Sequence, residues 1–421
     1  MAGRKRLLMI LGAGSSVASG MPSVAEIDTL MASWAREFTR MHQSANFYDQ
    51  IWRALERHLV AGFQSARQFP NFERALGDLI ALMHWVRPSP EGGSLRTLLK
   101  QHRLPDSLSF GSVDRYGPYI EVKVTIAHLI RCLASEMRAR CLTMPADLPA
   151  LKRWHEMLQA LRDRFDVVIY NLNYDTVALS GWPNAFTGFG SDGRFDPAAV
   201  HRRDWEGIFH LHGSVHFSLA DRLSDHIVWR NDLNDAFLDS DDRVADYGSD
   251  GKDFLPATLI AGGFKLDQLL TEPFQTYRAA LTCDVALADA IVIGGYGFGD
   301  THVNRALRGA LAHSRARPPV LVLDRAGPRT DPMVFRQDAW ARELTQALCA
   351  SSPFVGAGTS ATEMPAVLAQ QGRCEVSTAH RVAIWYGGFG DAAQLINQLT
   401  HWLHEGGGDD QQHCLGEPPK L

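Results

Sequence analysis

Six short, uninterrupted apolar runs constrain this chain more than any other feature. They are LLMILGAG at 7–14, VVIYNLNYD at 167–175, IFHLHGS at 208–214, ATLIAGG at 257–263, AIVIGGYGFGD at 290–300 and VLVLDR at 320–325. They are rich in β-branched residues, and most end in Gly, Asn or Asp. Continuous runs of this length predict parallel strands buried on both faces. Helical candidates lie between several of them, at 272–289 and 301–314. The pattern predicts an α/β fold with a Rossmann-like, doubly wound parallel sheet. A long helical stretch separates the first run from the second. Phe47, Ile51, Leu55, Leu59 and Phe63 recur at i+4, and Val122, Ile126, Leu129, Ile130, Leu133 and Met137 form one apolar face, as do Leu151, Trp154, Leu158, Leu161 and Phe165. Residues 24–165 are therefore expected as a large, mostly helical insertion, with the Pro-, Gly- and Ser-rich segment 87–118 as loop. VAIWYGGF (382–389) reads as a further strand, and Leu395, Ile396, Leu399, Trp402 and Leu403 as one face of a last helix. The expected organisation is a nucleotide-binding domain over 1–330, an α/β extension over 331–404 and a polar, disordered tail over 405–421.

At 421 residues the chain has room for two or three domains, or one with insertions. No apolar run approaches the roughly 20 residues of a spanning helix. The opening MAGRKRLLMILGAG has a basic stretch before an apolar one, but Leu7 to Leu11 is too short for a secretory signal and leads into a glycine turn. None of the six cysteines forms a C-x-x-C pair, which predicts a reducing, cytoplasmic setting without structural disulfides. The net charge of −5 gives no global footprint for nucleic acid, and direct nucleic-acid binding is not expected.

Gly12-Ala13-Gly14-Ser15-Ser16 follows a strand and precedes a helix. Gly12 permits a tight turn, and Gly14 lets backbone N–H groups approach a pyrophosphate. The spacing is neither G-x-G-x-x-G nor a P-loop, and a plain strand–turn–helix junction is the competing reading. Asn171, Asn173 and Asp175 alternate at a strand end, at the edge where open α/β sheets bind ligands. Turn hydrogen bonds would also account for them. His210-x-His212 has the spacing of metal ligands, yet no Cys or acidic residue follows at a suitable interval, so no metal is expected. His212-Gly213-Ser214 closes a strand, which brings its imidazole to the sheet edge shared with Asn173. A satisfied core histidine is the competing reading.

Taken in order, these segments resemble the sirtuins. GAGSSVASGMP (12–22) is similar to the sirtuin G-A-G-x-S-x-x-x-G-I-P loop, and NLNYD to Q-N-I-D, with Asn173 at the Asn and Asp175 at the Asp. HLHGS resembles the segment of the catalytic histidine, which falls on His212. IGGYGFGDTHVN (293–304) and EPF (272–274) resemble segments of bacterial sirtuin-like defence proteins. Asp324 falls where sirtuins hold the adenosine ribose. The departures are as telling. Ser23-Val24-Ala25 stands where deacylases have Asp-Phe-Arg. The region after H-G-S holds an aspartate-rich stretch over 221–253 and no cysteine, in place of two zinc-binding C-x-x-C pairs. The stretch is expected as a solvated loop or lid. The resemblance thus implies a zinc-free branch that hydrolyses NAD+ in antiphage defence.

On that resemblance Gly12, Ala13, Gly14, Ser15 and Pro22 belong to the dinucleotide loop. Asn171 joins the cofactor-binding set, and Gly295, Phe298 and Asp324 line the adenosine side. Asp175 would bond the nicotinamide carboxamide, Asn173 would orient the attacking water or the ribose, and His212 would accept a proton. The implied activity is cleavage of NAD+ to nicotinamide and ADP-ribose, with NAD+ as substrate and no zinc. The resemblance also implies a homo-oligomer gated by a partner, either a HerA-type DNA-translocating ATPase or a short Argonaute. Two other readings stand beside it: a module that senses NAD or ADP-ribose without turnover, and an NAD-dependent deacylase with a rebuilt cleft.

Overall fold

The computed structural model describes residues 4–61, 70–86, 117–222, 224, 226–239, 258–262, 269–314, 317–324, 339–350, 354–356, 374–377 and 380–405. Ten strands form two sheets among these residues: β1 (Lys5–Leu11), β2 (Phe165–Asn171), β3 (Gly207–His210), β4 (Phe217–Leu219), β5 (Ile227–Trp229), β6 (Ala290–Gly294), β7 (Val320–Leu323), β8 (Phe354–Gly356), β9 (Cys374–Ser377) and β10 (Val382–Trp385). Eight of them build the main sheet in the order β3-β2-β1-β6-β7-β10-β9-β8. Pairing is parallel from β3 to β10, and β9 and β8 add an antiparallel edge.

The apolar runs explain why the sheet is covered on both faces. Along β1, Leu7, Met9 and Leu11 enter one core while Leu8 and Ile10 enter the other, all 2 % exposed or less. Strand side chains alternate in direction, so a continuous run feeds both layers. The first core takes the helices of the long connection between β1 and β2, namely Val24–His42, Phe47–Ala61, Phe72–Val86, Gly117–Thr143 and Pro149–Arg162, together with Ile396–Glu405. The second takes Phe274–Leu287, Thr301–His313 and Ala339–Ala347. The doubly wound α/β fold with its large helical insertion is therefore present as the pattern predicts. The insertion opens on Ser23, whose side chain accepts from the backbone N–H of Glu26, an N-cap set by the local sequence S-x-x-E.

Chain order changes direction at β1. The chain runs outward through β2 and β3, then crosses back to lay β6 on the other side of β1. Adjacent loops therefore leave the carboxyl ends of β1 and β6 in opposite directions and open a crevice there, the place where open α/β sheets bind ligands.

Two expectations change. The run 257–263 is not a strand over its described part, 258–262; it makes one isolated antiparallel bridge, Leu259 with Gly213. Its backbone is held to the end of the 208–214 run by Ile260 N–H donating to His212 O at 2.7 Å, and Gly262 then turns at φ 97°. An apolar run of this length reports burial, not the number of ladder partners. Asp239, from the aspartate-rich stretch, is buried rather than solvated: it faces the Arg138 guanidinium at 3.3 Å and accepts from Thr258 Oγ1 at 2.7 Å. Residues 240–257, residues 87–116 of the loop expected over 87–118 and residues 406–421 of the expected tail lie outside the described residues, while Gly117 and Pro118 already open the Gly117–Thr143 helix and Glu405 closes Ile396–Glu405. Among the described residues no helix is long and apolar enough to cross a membrane.

Candidate active site

The glycine loop is built against the loop after β6. Gly12 N–H donates to Gly294 O at 2.9 Å, and Gly14 N–H donates to Gly295 O at 3.0 Å. Gly295 adopts φ 60°, and a Cβ placed on it would lie 2.2 Å from Ser15 N and 2.4 Å from Gly14 C. A Cβ on Gly12 would meet Gly295 O at 2.7 Å. Two backbones therefore touch without side chains between them, and only glycine fits at 12 and 295. The segment 13–19 then makes two short 3₁₀ turns before the buried Met21 and Pro22 lead into the capped helix.

Asn173 lies just beyond β2 and reaches across to this loop. Its Nδ2 donates to Gly12 O (3.0 Å), Ser15 Oγ (3.1 Å) and Ser16 Oγ (2.9 Å). Two N–H bonds are thus shared among three oxygens. Ser15 Oγ also donates to Gly12 O at 2.8 Å, so the loop is closed from both sides. Asn173 is consequently a brace of the glycine loop in this structure, and its amide nitrogen is committed to the protein. Alternation along a strand does not produce this placement, because β2 ends at Asn171. Asn171 turns elsewhere: its Oδ1 accepts from Asn173 N–H at 3.1 Å and its Nδ2 lies 3.4 Å from His210 Nδ1.

Asp175 is 1 % exposed and accepts from Val177 N–H at 2.9 Å, and the Ser16 hydroxyl bonds it as well. Ser16 thereby joins Asp175 to Asn173. Burial pushes the Asp175 carboxyl up to about 6, against the opposing pull of those two donors. A carboxyl that is harder to ionise folded than unfolded lowers stability once pH rises through that range. The penalty is absent below about pH 3, grows as pH rises from there and is nearly complete above pH 6, where it amounts to roughly 3 kcal/mol. Asp175→Asn should therefore unfold at higher urea than the parent at pH 7.5, by about 1–3 kcal/mol, with the gain gone near pH 3. A variant less stable than the parent at pH 7.5 would contradict this account of the carboxylate.

The two histidines of the H-x-H run part company. His210 is fully buried against Phe217 and Trp229, and desolvation pushes its imidazole down to about 3. It is a neutral core histidine. His216 stacks on Trp229 with ring centroids 4.5 Å apart, and its Nδ1 lies 2.7 Å from Arg230 O. His212 faces a different group. Its Nε2 lies 3.3 Å from His302 Nε2 and 3.7 Å from Asp300 Oδ1. It is flanked by two bonds that tie its segment to the one bearing Asn173: Leu211 N–H to Asn171 O and Val215 N–H to Tyr174 O. Asp300 and His302 follow the same glycine-rich loop that supports Gly14, so His212 and the glycine loop share one edge of the sheet.

Phe298, at φ 53°, is buried and packs on Tyr296 and Trp340 (centroids 4.8 and 6.1 Å), while its carbonyl accepts from Asn304 Nδ2 at 2.8 Å. Its ring underpins the loop from the core side. Asp324 follows β7 at the same carboxyl edge, half-buried, with its backbone held by Trp385 O and Gly388 N–H. The structure thus gathers Gly12, Ala13, Gly14, Ser15, Asn173, Asp175 and Gly295 at the crevice. Asn171 is turned toward His210. Asp300 and His302 are additions that sequence reasoning did not single out; the DTH of 300–302 lay inside a quoted motif, and only the fold shows which histidine it meets.

No curated protein matches this chain. Two solved structures are similar to it at 11 % identity each. A complex of a Sir2 homologue with NAD aligns with TM-score 0.36 over 82 % of this chain and 91 % of that one. A mutant Sir2 homologue bound to 2′-O-acetyl ADP ribose aligns with TM-score 0.34 over 83 % and 96 %. The family model described as a SIR2-like domain matches residues 167–348, a stretch that carries Asn173, Asp175, His212, Gly295 and Asp324 and begins after the glycine loop.

Proposed function

We propose that this protein hydrolyses NAD+ at the bond between nicotinamide and ribose. The observation that carries the reading is the placement of a glycine-rich loop, braced by Asn173, and the His212 imidazole on one edge of the sheet at its switch point. A dinucleotide laid there would set its pyrophosphate on the backbone N–H groups of 13–15, with the adenosine side toward Gly295 and Asp324. Asp175 would face the nicotinamide carboxamide, a role suited to a carboxyl kept in a dry environment. In the reaction the C–N bond breaks, its electron pair neutralises the pyridinium, and water adds to the ribose carbon while His212 takes the proton. The products are nicotinamide, ADP-ribose and a proton. Nicotinamide is a built-in leaving group, so positioning and electrostatics supply most of the required barrier reduction.

The biological setting we propose is depletion of NAD+ as an antiviral response. Such an activity must be held in check, which suits a homo-oligomer gated by a HerA-type ATPase or a short Argonaute. The test is incubation of the purified chain with NAD+, alone and with an acylated peptide, followed by product analysis. Free nicotinamide and ADP-ribose without peptide are expected. Release only with peptide would make the protein a deacylase, and intact bound NAD+ would make it a sensor; either result overturns the reading.

A further inference from the structure

The contact between His212 and His302 has a consequence outside proton transfer. Their Nε2 atoms face each other at 3.3 Å, Asp300 Oδ1 lies 3.7 Å from the first of them, and the three donor atoms all fall within 4.8 Å of one another. Two imidazoles and one carboxylate make a borderline-to-hard donor set of the kind that holds Zn²⁺, Fe²⁺ or Co²⁺. The spacing suits an ion. With metal–ligand bonds of about 2.0–2.1 Å, a 3.3 Å separation subtends roughly 107° at the metal, and a 3.7 Å separation roughly 126°. Both bracket the tetrahedral angle.

We infer that His212, Asp300 and His302 form a seat for a divalent transition-metal ion. Three further observations support it. Asp300 is the residue before the Thr301–His313 helix, where an aspartate ordinarily accepts from the first-turn N–H groups, yet its side chain makes no capping bond. The carboxylate lies instead on the side of the histidines. His302 is in the first turn of that helix, one residue past Thr301, so a single helix start carries both it and Asp300 to His212. Finally, both histidines are buried, at 3 % and 6 % exposure, while the Asp300 side chain is 14 % exposed. The donors are pre-placed, and the carboxylate marks the open side. Three protein ligands leave a fourth position for water or another small donor.

This seat uses the nitrogen that the proposed hydrolysis requires as a base. On that reading, ion and proton acceptor exclude each other, and the metal holds the enzyme off. The inhibitory half of the inference rests on the proposed function; the binding half does not.

The experiment uses the full chain stripped with a chelator. Titration with Co²⁺ should give visible d–d bands of a low-coordinate site, saturating near one equivalent and bleached by Zn²⁺. Crystals soaked in Co²⁺ should show an anomalous peak in contact with both Nε2 atoms. His302→Ala and Asp300→Asn, checked for unchanged circular dichroism, should each weaken binding by about 10-fold or more, the scale of a lost ligand interaction. An anomalous peak found only elsewhere, or folded His302→Ala binding Co²⁺ as the parent does, would overturn the seat. So would the absence of any Co²⁺ band in the parent. For the inhibitory half, Zn²⁺ should suppress nicotinamide release at least 10-fold and excess chelator should restore it; activity that requires the ion would overturn that half. A chain that binds Co²⁺ at this seat but never cleaves NAD+ would sink the proposed function and leave the seat standing.

Discussion

His212→Ala should lower nicotinamide release by about 10² or more, with little change in the temperature of unfolding. The first half of the expectation follows from the loss of the imidazole that the 208–214 run carries to the sheet edge shared with the braced glycine loop; a positioned general base contributes on the order of 10²–10⁴ to a rate. The second half follows from the packing. His212 is held in place by backbone bonds on either side, at Leu211, Val215 and Ile260, none of which needs its side chain. Rate and stability should therefore separate. Single-turnover kinetics on the metal-stripped protein, compared with thermal melts of the same preparations, would measure both. Parent-like turnover in a folded His212→Ala protein would remove the histidine from the mechanism.

Asn173→Ala should behave differently, losing both. Its amide serves three oxygens of the glycine loop, all buried. Removing it takes one donor from the Ser15 and Ser16 hydroxyls and from the Gly12 carbonyl, which keeps its bonds from Ser15 Oγ and Ser15 N–H; a buried group left unsatisfied costs about 1–3 kcal/mol. Some of that is recovered because both hydroxyls can rotate. The net expectation is a loss of roughly 2–4 kcal/mol in urea unfolding, together with about 10²-fold lower NAD+ turnover from a loosened pyrophosphate site. Asn173→Asp would keep the shape but place a carboxylate against three oxygens, and should be no better. If Asn173→Ala lost turnover while keeping its full stability, the asparagine would be acting on the substrate directly and the brace would be secondary.

Much of this arrangement was legible in the residues. The strands at 7, 167, 208, 290, 320 and 382 were visible because a sheet buried on both faces leaves an unbroken apolar run, and the glycines at 12, 14 and 295 because close backbone contact admits nothing larger. Where the sequence misled, the reason was the same each time: period and spacing describe neighbours along the chain, not across it. Asn171, Asn173 and Asp175 alternate, yet the strand ends at the first of them, whose side chain turns to His210 while the other two meet at Ser16. His210 and His212 look like a pair, but one is packed among Phe217 and Trp229 and the other meets His302, ninety residues on. The run at 258–262 is buried like a strand and bridges like a turn. Asp239 reads as one more charge in an acidic stretch until Arg138, from a helix of the insertion, is brought against it.

The central claim is spatial: the glycine loop and His212 close on one glycosidic bond. A crystal structure of His212→Ala soaked with NAD+ tests it most directly. The account predicts the pyrophosphate on the N–H groups of 13–15, the nicotinamide carboxamide at Asp175, and the ribose carbon next to the space left at 212. A dinucleotide bound with its nicotinamide end directed away from position 212, or seated elsewhere on the protein, would contradict it.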